Sequence, residues 1–258
     1  MDIPALLEPF ITGLTPAQLA QVSTYLDLLM RWNAKMNLTS IRTPQQIVSR
    51  HFGESFFLAS RLFGPRSVFQ LPNYEITKLP NQESPEAPAP ETPQLIDLGS
   101  GAGFPAIPLK IYRPDVTIKL VEAHQRKAVF LREVLRALEL DAEVKNVRAE
   151  NLPPASADLV TLRAVEKFDS ILPTAARLVR QSEPMEAGRR VPGPFPPLER
   201  AGTADPVHGP LSTVHGLALL IGSAQIALAR EILPNWRFHP EIAIPKSKNR
   251  VIQLLEPN

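Results

Sequence analysis

The sequence predicts an α/β fold in which a mostly parallel sheet of seven strands is covered by helices on both faces. From residue 94 onward, short aliphatic runs alternate with segments of helical periodicity. A glycine-rich turn joins the first of these runs to a helix. The last two runs are separated by the short link Pro245-Lys-Ser-Lys-Asn249, which suits an antiparallel pair at the end of the sheet.

The predicted strands follow from these aliphatic runs, and they are 95–98, 117–121, 142–147, 158–163, 217–221, 236–244 and 250–255. Between them we expect a helix that Pro105 starts and that ends before Pro114, and further helices over 124–140, 168–180 and 223–233. The helix over 124–140 has an apolar side that we expect inside, formed by Val129, Leu131, Val134, Leu135 and Leu138.

Two similar helix starts precede the sheet. Thr15-Pro16-Ala-Gln18 and Thr43-Pro44-Gln-Gln46 each offer a threonine N-cap, a proline at the first helical position and a glutamine three residues after the cap. Apolar residues follow each start at helical spacing. We therefore predict an N-terminal helical cap over residues 1–63 that packs on the main domain.

Two segments are rich in proline and have almost no apolar periodicity. Residues 64–94 and 182–214 together hold half of the chain's 28 prolines. Such composition cannot supply a packed core. The first segment is interpreted as a linker between the cap and the domain over 95–258, and the second as an insertion in that domain.

The stretch from Leu95 to Pro105 predicts a cofactor loop. It has the order of a buried strand, the acidic residue Asp97, and then Gly99, Gly101 and Gly103 at alternate positions. Glycines permit positive φ and close approach of a ligand to the backbone. The spacing also satisfies a loose dinucleotide fingerprint. Asp97 would repel a diphosphate, however, and Pro105 removes an amide donor that phosphate binding uses, so S-adenosylmethionine, which is cationic and has no phosphate, is favoured.

Acidic residues after the next two strands complete the predicted cofactor site. Glu122 ends the second strand about 20 residues after the loop, where a carboxylate can accept hydrogen bonds from ribose hydroxyls. Arg148-Ala149-Glu150 follows the third strand. In a doubly wound sheet that turn lies beside a bound adenine, so the backbone of Ala149 and the carboxylate of Glu150 are candidate contacts.

Composition excludes several chemistries. The chain has no cysteine, which rules out disulfides, thiolate metal sites and covalent attack by a thiolate, and we predict no metal site. The formal charge of +2 means that a nucleic-acid partner would need a local basic patch. No apolar run is long enough to span a bilayer, so we expect a cytoplasmic protein without a membrane partner.

The sequence at the end of the fourth strand argues against an exocyclic amine as the methyl acceptor. Enzymes that methylate exocyclic amines usually present an Asn/Asp-Pro-Pro-aromatic motif there, whereas this chain has Leu162-Arg-Ala-Val165. Arg163 ends this strand, at the sheet edge where the methyl group should point, and is a candidate site residue. The competing interpretation of Arg163 is an ion pair with Asp97 or Glu150.

Five motifs together resemble the ribosomal RNA small subunit methyltransferase G family, also called glucose-inhibited division protein B. They are Trp32-Asn-Ala-Lys-Met-Asn-Leu-Thr-Ser-Ile-Arg42, His51-Phe-Gly-Glu-Ser55, Asp97-Leu-Gly-Ser-Gly-Ala-Gly-Phe-Pro-Ala-Ile-Pro-Leu109, Arg126-Lys-Ala-Val-Phe-Leu-Arg132 and Leu162-Arg-Ala164. The resemblance covers most of the chain outside the proline-rich segments. Gly53-Glu54 and Ile221-Gly222 depart from the family pattern, the latter in place of a common lysine-glycine.

The resemblance implies a Rossmann-like class I methyltransferase that transfers a methyl group from S-adenosylmethionine to N7 of a guanine in 16S ribosomal RNA, and we expect a monomer. It also implies that Gly99, Phe104, Ala149, Glu150 and Arg163 line the donor site. With guanine as the implied acceptor, Arg163 is the predicted catalytic residue, because an arginine fork matches guanine O6 and N7 and could alternatively orient the donor carboxylate. The predicted RNA contacts cluster at the motif segments, and they are Arg31, Lys35, Asn37, Arg42, Arg50, His51, Lys246, Lys248 and Arg250. A small-molecule methyltransferase and an NAD-dependent oxidoreductase remain as alternatives.

Overall fold

A computed structural model describes residues 1–64, 93–165, 167–180 and 215–258 of the chain. The two predicted proline-rich segments, 64–94 and 182–214, lie almost entirely outside these ranges. In the described ranges, every helix falls short of the length and apolar character that crossing a bilayer requires.

The sheet confirms the mostly parallel arrangement. Its strands follow the order β3-β2-β1-β4-β5-β8-β6, with β7 paired beside β8. The first five of these pair in parallel, whereas β8 runs antiparallel to β5, β6 and β7. The strands are β1 Gln94–Leu98, β2 Thr117–Val121, β3 Glu143–Lys145, β4 Leu159–Arg163, β5 Gly216–Gly222, β6 Trp236–Phe238, β7 Ile242–Ala243 and β8 Arg250–Pro257. The ends of β1 to β5 share one side of the sheet, which is called the carboxyl edge below.

The predicted strand over 236–244 forms two separate strands, so the described sheet has eight strands where seven were predicted. Both β6 and β7 pair with β8, and Pro240 lies between them. Proline has no amide hydrogen to donate to a neighbouring strand, which accounts for the break in the ladder.

Helices cover both faces. In chain order they are α1 Ile3–Leu7, α2 Pro16–Asn33, α3 Pro44–Ile47, a π-helical segment Val48–Gly53, α4 Glu54–Phe63, α5 Ala106–Tyr112, α6 Gln125–Ala137, a 3-10 turn Ala149–Asn151, α7 Phe168–Leu178 and α8 Ala224–Ile232. One buried cluster joins the N-terminal helices to α5, α6 and one face of the sheet. A second cluster lies on the opposite face with α7 and α8.

Alternation along the strands assigns side chains to the two faces. Leu95 in β1 and Leu159 in β4 belong to the cluster beneath the N-terminal helices, while Ile96 and Val160 belong to the other cluster. Successive strand residues point to opposite faces. Asp97, Thr161 and Arg163 therefore face the N-terminal helices, and this alternation positions the candidate site.

The two helix starts differ. The capping box at Thr15 is confirmed, because the amide of Gln18 donates to Thr15 Oγ1 at 3.2 Å and the amide of Thr15 donates to Gln18 Oε1 at 2.9 Å. At Thr43 the helix does begin with Pro44, but no side-chain cap bond forms. After four residues α3 passes into the π-helical segment, where Phe52 is fully buried.

The side of α6 that is buried differs from the prediction at one position. Val129, expected inside, is 45% exposed, whereas Ala128 and Phe130 are fully buried. Residues at spacings of three and four share a helix face. The buried face of α6 consists of two neighbouring rows, one formed by residues 128, 131 and 135 and the other by residues 130 and 134. Val129 belongs to neither row and lies on the solvent side.

Candidate functional site

The glycine loop lies at the carboxyl edge and is closed on one side and open on the other. Its three glycines have φ values of 65° at Gly99, 54° at Gly101 and 87° at Gly103, a region that disfavours other residues. A Cβ at Gly103 would lie 2.5 Å from Tyr25 Oη and 2.6 Å from Ile107 Cδ1. A Cβ at Gly101 would meet only the carbonyl of Gly99, at 3.6 Å. Gly103 thus packs inward, and the Gly101 side is left for a ligand.

Glu122 fixes the loop from the end of β2. One carboxylate oxygen accepts the amide of Gly101 at 2.9 Å and the other accepts the amide of His124 at 2.7 Å. The side-chain amide of Asn146, a residue that the sequence analysis missed, donates to the carbonyl of Glu122 at 2.8 Å. Each carboxylate oxygen has a second lone pair, so Glu122 retains acceptor capacity for hydroxyl groups.

Asp97 is the most unusual group at the carboxyl edge. The residue is 1% exposed, and its Oδ1 accepts the hydroxyl of Thr161 at 2.6 Å, but its Oδ2 has no hydrogen-bond partner. Burial raises the pKa of the carboxyl from 3.8 to about 6, against the opposing effect of the hydrogen bond from Thr161. A buried charged oxygen without a partner is costly, and a cationic ligand group would satisfy it.

Helix α5 starts one residue later than predicted. Pro105 occupies the N-cap position, and the helix begins at Ala106. Phe104, just before it, lies in an aromatic stack between the cap and the loop. Its ring is 5.1 Å from Tyr25, at an interplanar angle of 10°, and 4.9 Å from His51, at 21°. Tyr25 also donates its hydroxyl to the carbonyl of Ala102, so the cap holds the loop directly.

Arg163 binds the cap. Its Nη2 lies 2.9 Å from Glu54 Oε2 and also donates to the carbonyl of Arg50 at 2.6 Å. Its Nη1 donates to Ser55 Oγ and to the carbonyl of His51, both at 3.2 Å. The predicted alternative of an ion pair with Asp97 or Glu150 names the wrong partner, because the guanidinium of Arg163 reaches α4 and its carboxylate partner there is Glu54.

Glu54 also pairs with Arg250, at 3.0 Å. It is 3% exposed, and Arg163 is 7% exposed. These three residues, Arg163, Glu54 and the partly exposed Arg250, form a charge cluster, called the buried charge cluster below, that joins β4, α4 and β8. Burial lowers the pKa of both arginines, that of Arg163 to about 10.

The protonation of His51 follows from its neighbours. His51 Nδ1 lies 3.1 Å from Arg163 Nη2, and it accepts a hydrogen bond because arginine can only donate. The other ring nitrogen, Nε2, therefore has the hydrogen and donates it to Thr39 Oγ1 at 2.7 Å. Burial, followed by the charge of Arg163, lowers the pKa of His51 to about 2. His51 is therefore neutral, and both of its nitrogens are engaged inside the protein.

Ala149 and Glu150 lie in the 3-10 turn after β3. Ala149 is buried in the same cluster as Leu98 and Val121, the last residues of β1 and β2. Glu150 is exposed, and its carbonyl accepts a hydrogen bond from Arg177 at 3.2 Å. The structure thus brings Ala149 to the strand ends, while the carboxylate of Glu150 lies at the surface.

Most predicted RNA contacts are at the surface. The exposed ones are Arg31, Lys35, Asn37, Arg42, Arg50, Lys246 and Lys248. Arg42 donates to Asn37 Oδ1 at 2.9 Å, which ties two of them together. His51 and Arg250 have internal partners instead, Arg163 for the first and Glu54 for the second.

Sequence reasoning missed Tyr25, Glu54 and Thr161. Tyr25 lies in an apolar helical stripe, where a core position was the natural interpretation. Thr161 pairs with Asp97 in the register of β1 and β4, and a polar residue two positions before Arg163 in a buried strand was the available signal. Glu54 was quoted in a motif, but nothing in the sequence indicated its two arginine partners.

Comparison with known proteins shows which family this chain is similar to. Residues 18–68 and 85–188 match the family model for rRNA small subunit methyltransferase G. Proteins called ribosomal RNA small subunit methyltransferase G are 35% identical in Xanthomonas euvesicatoria pv. vesicatoria, over 69% of this chain and 73% of that protein, and 33% identical in Xanthomonas oryzae pv. oryzae, over 89% and 96%. A solved S-adenosylmethionine-dependent methyltransferase from Aquifex aeolicus is similar with a TM-score of 0.42 and 14% identity, over 65% of this chain and 83% of that one.

The family model covers both the cap and the first four strands. The relative from Xanthomonas oryzae extends the similarity over nearly the whole chain. These matches confirm the resemblance seen in the motifs, and the chain belongs to the rRNA small subunit methyltransferase G family.

Proposed function

We propose that this protein transfers the methyl group of S-adenosylmethionine to N7 of a guanine in 16S ribosomal RNA, and that it acts as a monomer in the cytoplasm. Residues 1–63 would serve as a cap on the methyltransferase domain over 95–258. The family membership supports the reaction class. The observation that supports it best within the site is the unpartnered Oδ2 of Asp97 beside an open glycine loop.

The residues at the carboxyl edge fit the donor. S-adenosylmethionine has an ammonium and a sulfonium but no phosphate, and a buried acceptor without a partner suits a cation. The positive φ at Gly99, Gly101 and Gly103 shapes the loop, and the open space at Gly101 would admit the donor. Glu122 has lone pairs for ribose hydroxyls, and the turn at Ala149 and Glu150 would contact the adenine. When bound, the donor supplies an electrophilic methyl group on sulfur.

The chemistry at N7 matches what these side chains can do. Guanine N7 has a free lone pair and loses no proton, so transfer needs no general base. His51, the histidine stacked on Phe104, has no free nitrogen and stays neutral. Alignment of acceptor, methyl and sulfur with water excluded can then supply most of the acceleration.

We assign Arg163 a positioning role in this reaction. Its guanidinium holds His51 and α4 against the Phe104 stack. Both terminal nitrogens of Arg163 are already engaged, so direct contact of either one with the base or with the donor carboxylate, as the sequence predicted, would require exchange of at least one hydrogen bond.

Incubation with radiolabelled S-adenosylmethionine tests the proposal. We expect label in 16S ribosomal RNA that lacks modifications, or in small subunits that contain it, and none in a panel of small metabolites. Label in a metabolite alone would support the small-molecule alternative. Calorimetric binding of NAD without binding of S-adenosylhomocysteine would support the oxidoreductase.

A further inference from the structure

A groove of about 390 Å³ lies between the end of α2 and the side of α6 that carries Arg126 and Glu133. Its size falls in the range of about 300 to 1,000 Å³ that small-molecule sites occupy. Nothing in the donor site described above uses it. Its lining residues are Arg31, Trp32, Lys35, Met36, Arg126 and Glu133.

One end of the groove lies on the side of the sheet where the glycine loop is found. Helices α2 and α6 run antiparallel, since Gln21 in the first half of α2 donates to the carbonyl of Leu138 after the end of α6, whereas Trp32 near the end of α2 contacts Phe130. Arg126 is the second residue of α6. That helix starts directly after Glu122 at the carboxyl edge, so the Arg126 end of the groove neighbours the donor site.

The side chains in the groove favour an unpaired nucleobase with its phosphates. Trp32 is half-buried, and its ring is held 5.6 Å from that of Phe130. Three exposed cations surround it, Arg31, Lys35 and Arg126, whereas Glu133 is the single carboxylate in the lining. Within the described part of the chain, none of these three cations forms an ion pair. Aromatic rings that stack bases beside cations that meet phosphates are the usual means of binding single-stranded RNA.

We infer that this groove is a second nucleotide-binding site, in which Trp32 stacks on an unpaired base near the methylated guanine and Arg31, Lys35 and Arg126 bind the adjoining phosphates. The inference rests on the proposed function, because it assumes an RNA substrate. It adds a site that selects single-stranded RNA without reading its sequence, since every base has a face on which to stack.

The fluorescence of Trp32 tests the inference without altering the groove. The chain has two tryptophans, and Trp236→Phe removes the other one, in β6. In that variant we expect a single-stranded RNA decanucleotide to quench the emission, and inorganic polyphosphate, which has charge but no bases, to leave it unchanged. Equal quenching by polyphosphate and by RNA, or no response to RNA at all, would overturn the inference.

Kinetics with the full substrate give the second readout. Lys35→Gln and Arg126→Gln should together raise the KM for 16S ribosomal RNA about tenfold with kcat unchanged, because neither residue lies at the glycine loop. The matched control is Arg132→Gln, on the exposed side of α6 and outside the groove. If wild-type protein methylates the RNA and the two substitutions leave KM unchanged, the groove assignment fails while the proposed function stands. If wild-type protein does not methylate RNA, it is the proposed function that fails.

Discussion

Asp97 shows how one residue can make a folded site less stable until a ligand binds. Its pKa is about 6 in the folded protein and 3.8 without burial. Because the folded-state pKa is the higher one, the protonated carboxyl favours folding. That contribution is complete below about pH 3.8 and is lost as pH rises through 6. At pH 7 the carboxylate is charged, and this lowers the free energy of unfolding by about 3 kcal/mol compared with a pH below 3.8, where the carboxyl is protonated.

Donor affinity should therefore depend on pH through Asp97. The positive ligand requires the charged carboxylate, so the affinity for S-adenosylhomocysteine, which retains the ammonium, should fall as pH drops below about 6. In Asp97→Asn we expect weaker binding with a flat profile over this range. Calorimetric titrations from pH 5 to 8 measure both proteins. Equal affinity and equal pH dependence in the variant would contradict the assignment of Asp97.

The glycines of the loop should differ in their tolerance of a side chain. Gly103→Ala would place Cβ against Tyr25 and Ile107, and it should cost about 2 to 4 kcal/mol from strain at positive φ plus overpacking. Gly101→Ala has the same class of strain but open space, so we expect about 1 to 2 kcal/mol. Urea unfolding of the two variants gives the comparison. A larger loss for Gly101→Ala would show that the packing described for the loop is wrong.

At the scale of elements, the buried charge cluster attaches the cap to the sheet. Arg163 ends β4, Arg250 starts β8, and Glu54 starts α4. One carboxylate thus joins three elements that are distant in the sequence. Buried ion pairs of this kind contribute to specific geometry, and breaking one leaves an uncompensated charge.

Removal of the charge from Glu54 should be costly for that reason. Glu54→Gln leaves the buried guanidinium of Arg163 and the partly exposed one of Arg250 without a counter-charge, and we expect a loss of about 3 to 5 kcal/mol in the free energy of unfolding. Glu143→Gln, which breaks the exposed pair with Lys145, is the matched control and should change little. A loss below about 1 kcal/mol for Glu54→Gln would mean that the cluster does not hold the cap.

Local patterns predicted some elements well and could not predict others. The glycine loop and the alternating strands follow from spacing within a few residues, so 95–98 and 117–121 were placed correctly. The partner of Arg163 lies 109 residues away, and no local pattern connects the two. Val129 was misplaced because the apolar stripe of α6 is wide, and only the packing of Phe130 against the cap decides which side is buried.

At the scale of the whole molecule, the cap and the sheet edge together form the candidate RNA surface. Arg42 lies in the cap, and Lys246 lies in the link before β8, whose first residue pairs with the last residue of β5. Both are exposed, and the pairing of β8 with β5 puts Lys246 near the carboxyl edge. The net charge of +2 gives little long-range attraction, so local phosphate contacts would have to supply RNA affinity.

Charge reversal at these two positions tests this surface. Arg42→Glu and Lys246→Glu should each weaken RNA binding and reduce the slope of log affinity against log salt by about 1. Arg237→Glu is a suitable control, because Arg237 is 66% exposed in β6 and lies away from the carboxyl edge. Unchanged affinity and slope in the first two variants would exclude them as phosphate contacts.

The position of the transferred methyl group tests the central claim most directly. After reaction of the protein with S-adenosylmethionine and unmodified 16S ribosomal RNA, borohydride reduction followed by aniline cleaves the RNA at 7-methylguanosine. We predict one new cleavage site, at a guanine. The cleavage should be absent when the Asp97→Asn variant replaces the wild-type protein, at donor concentrations too low for the variant to bind. Transfer of label to the RNA without such cleavage, or to an exocyclic amine or a ribose, would contradict the account.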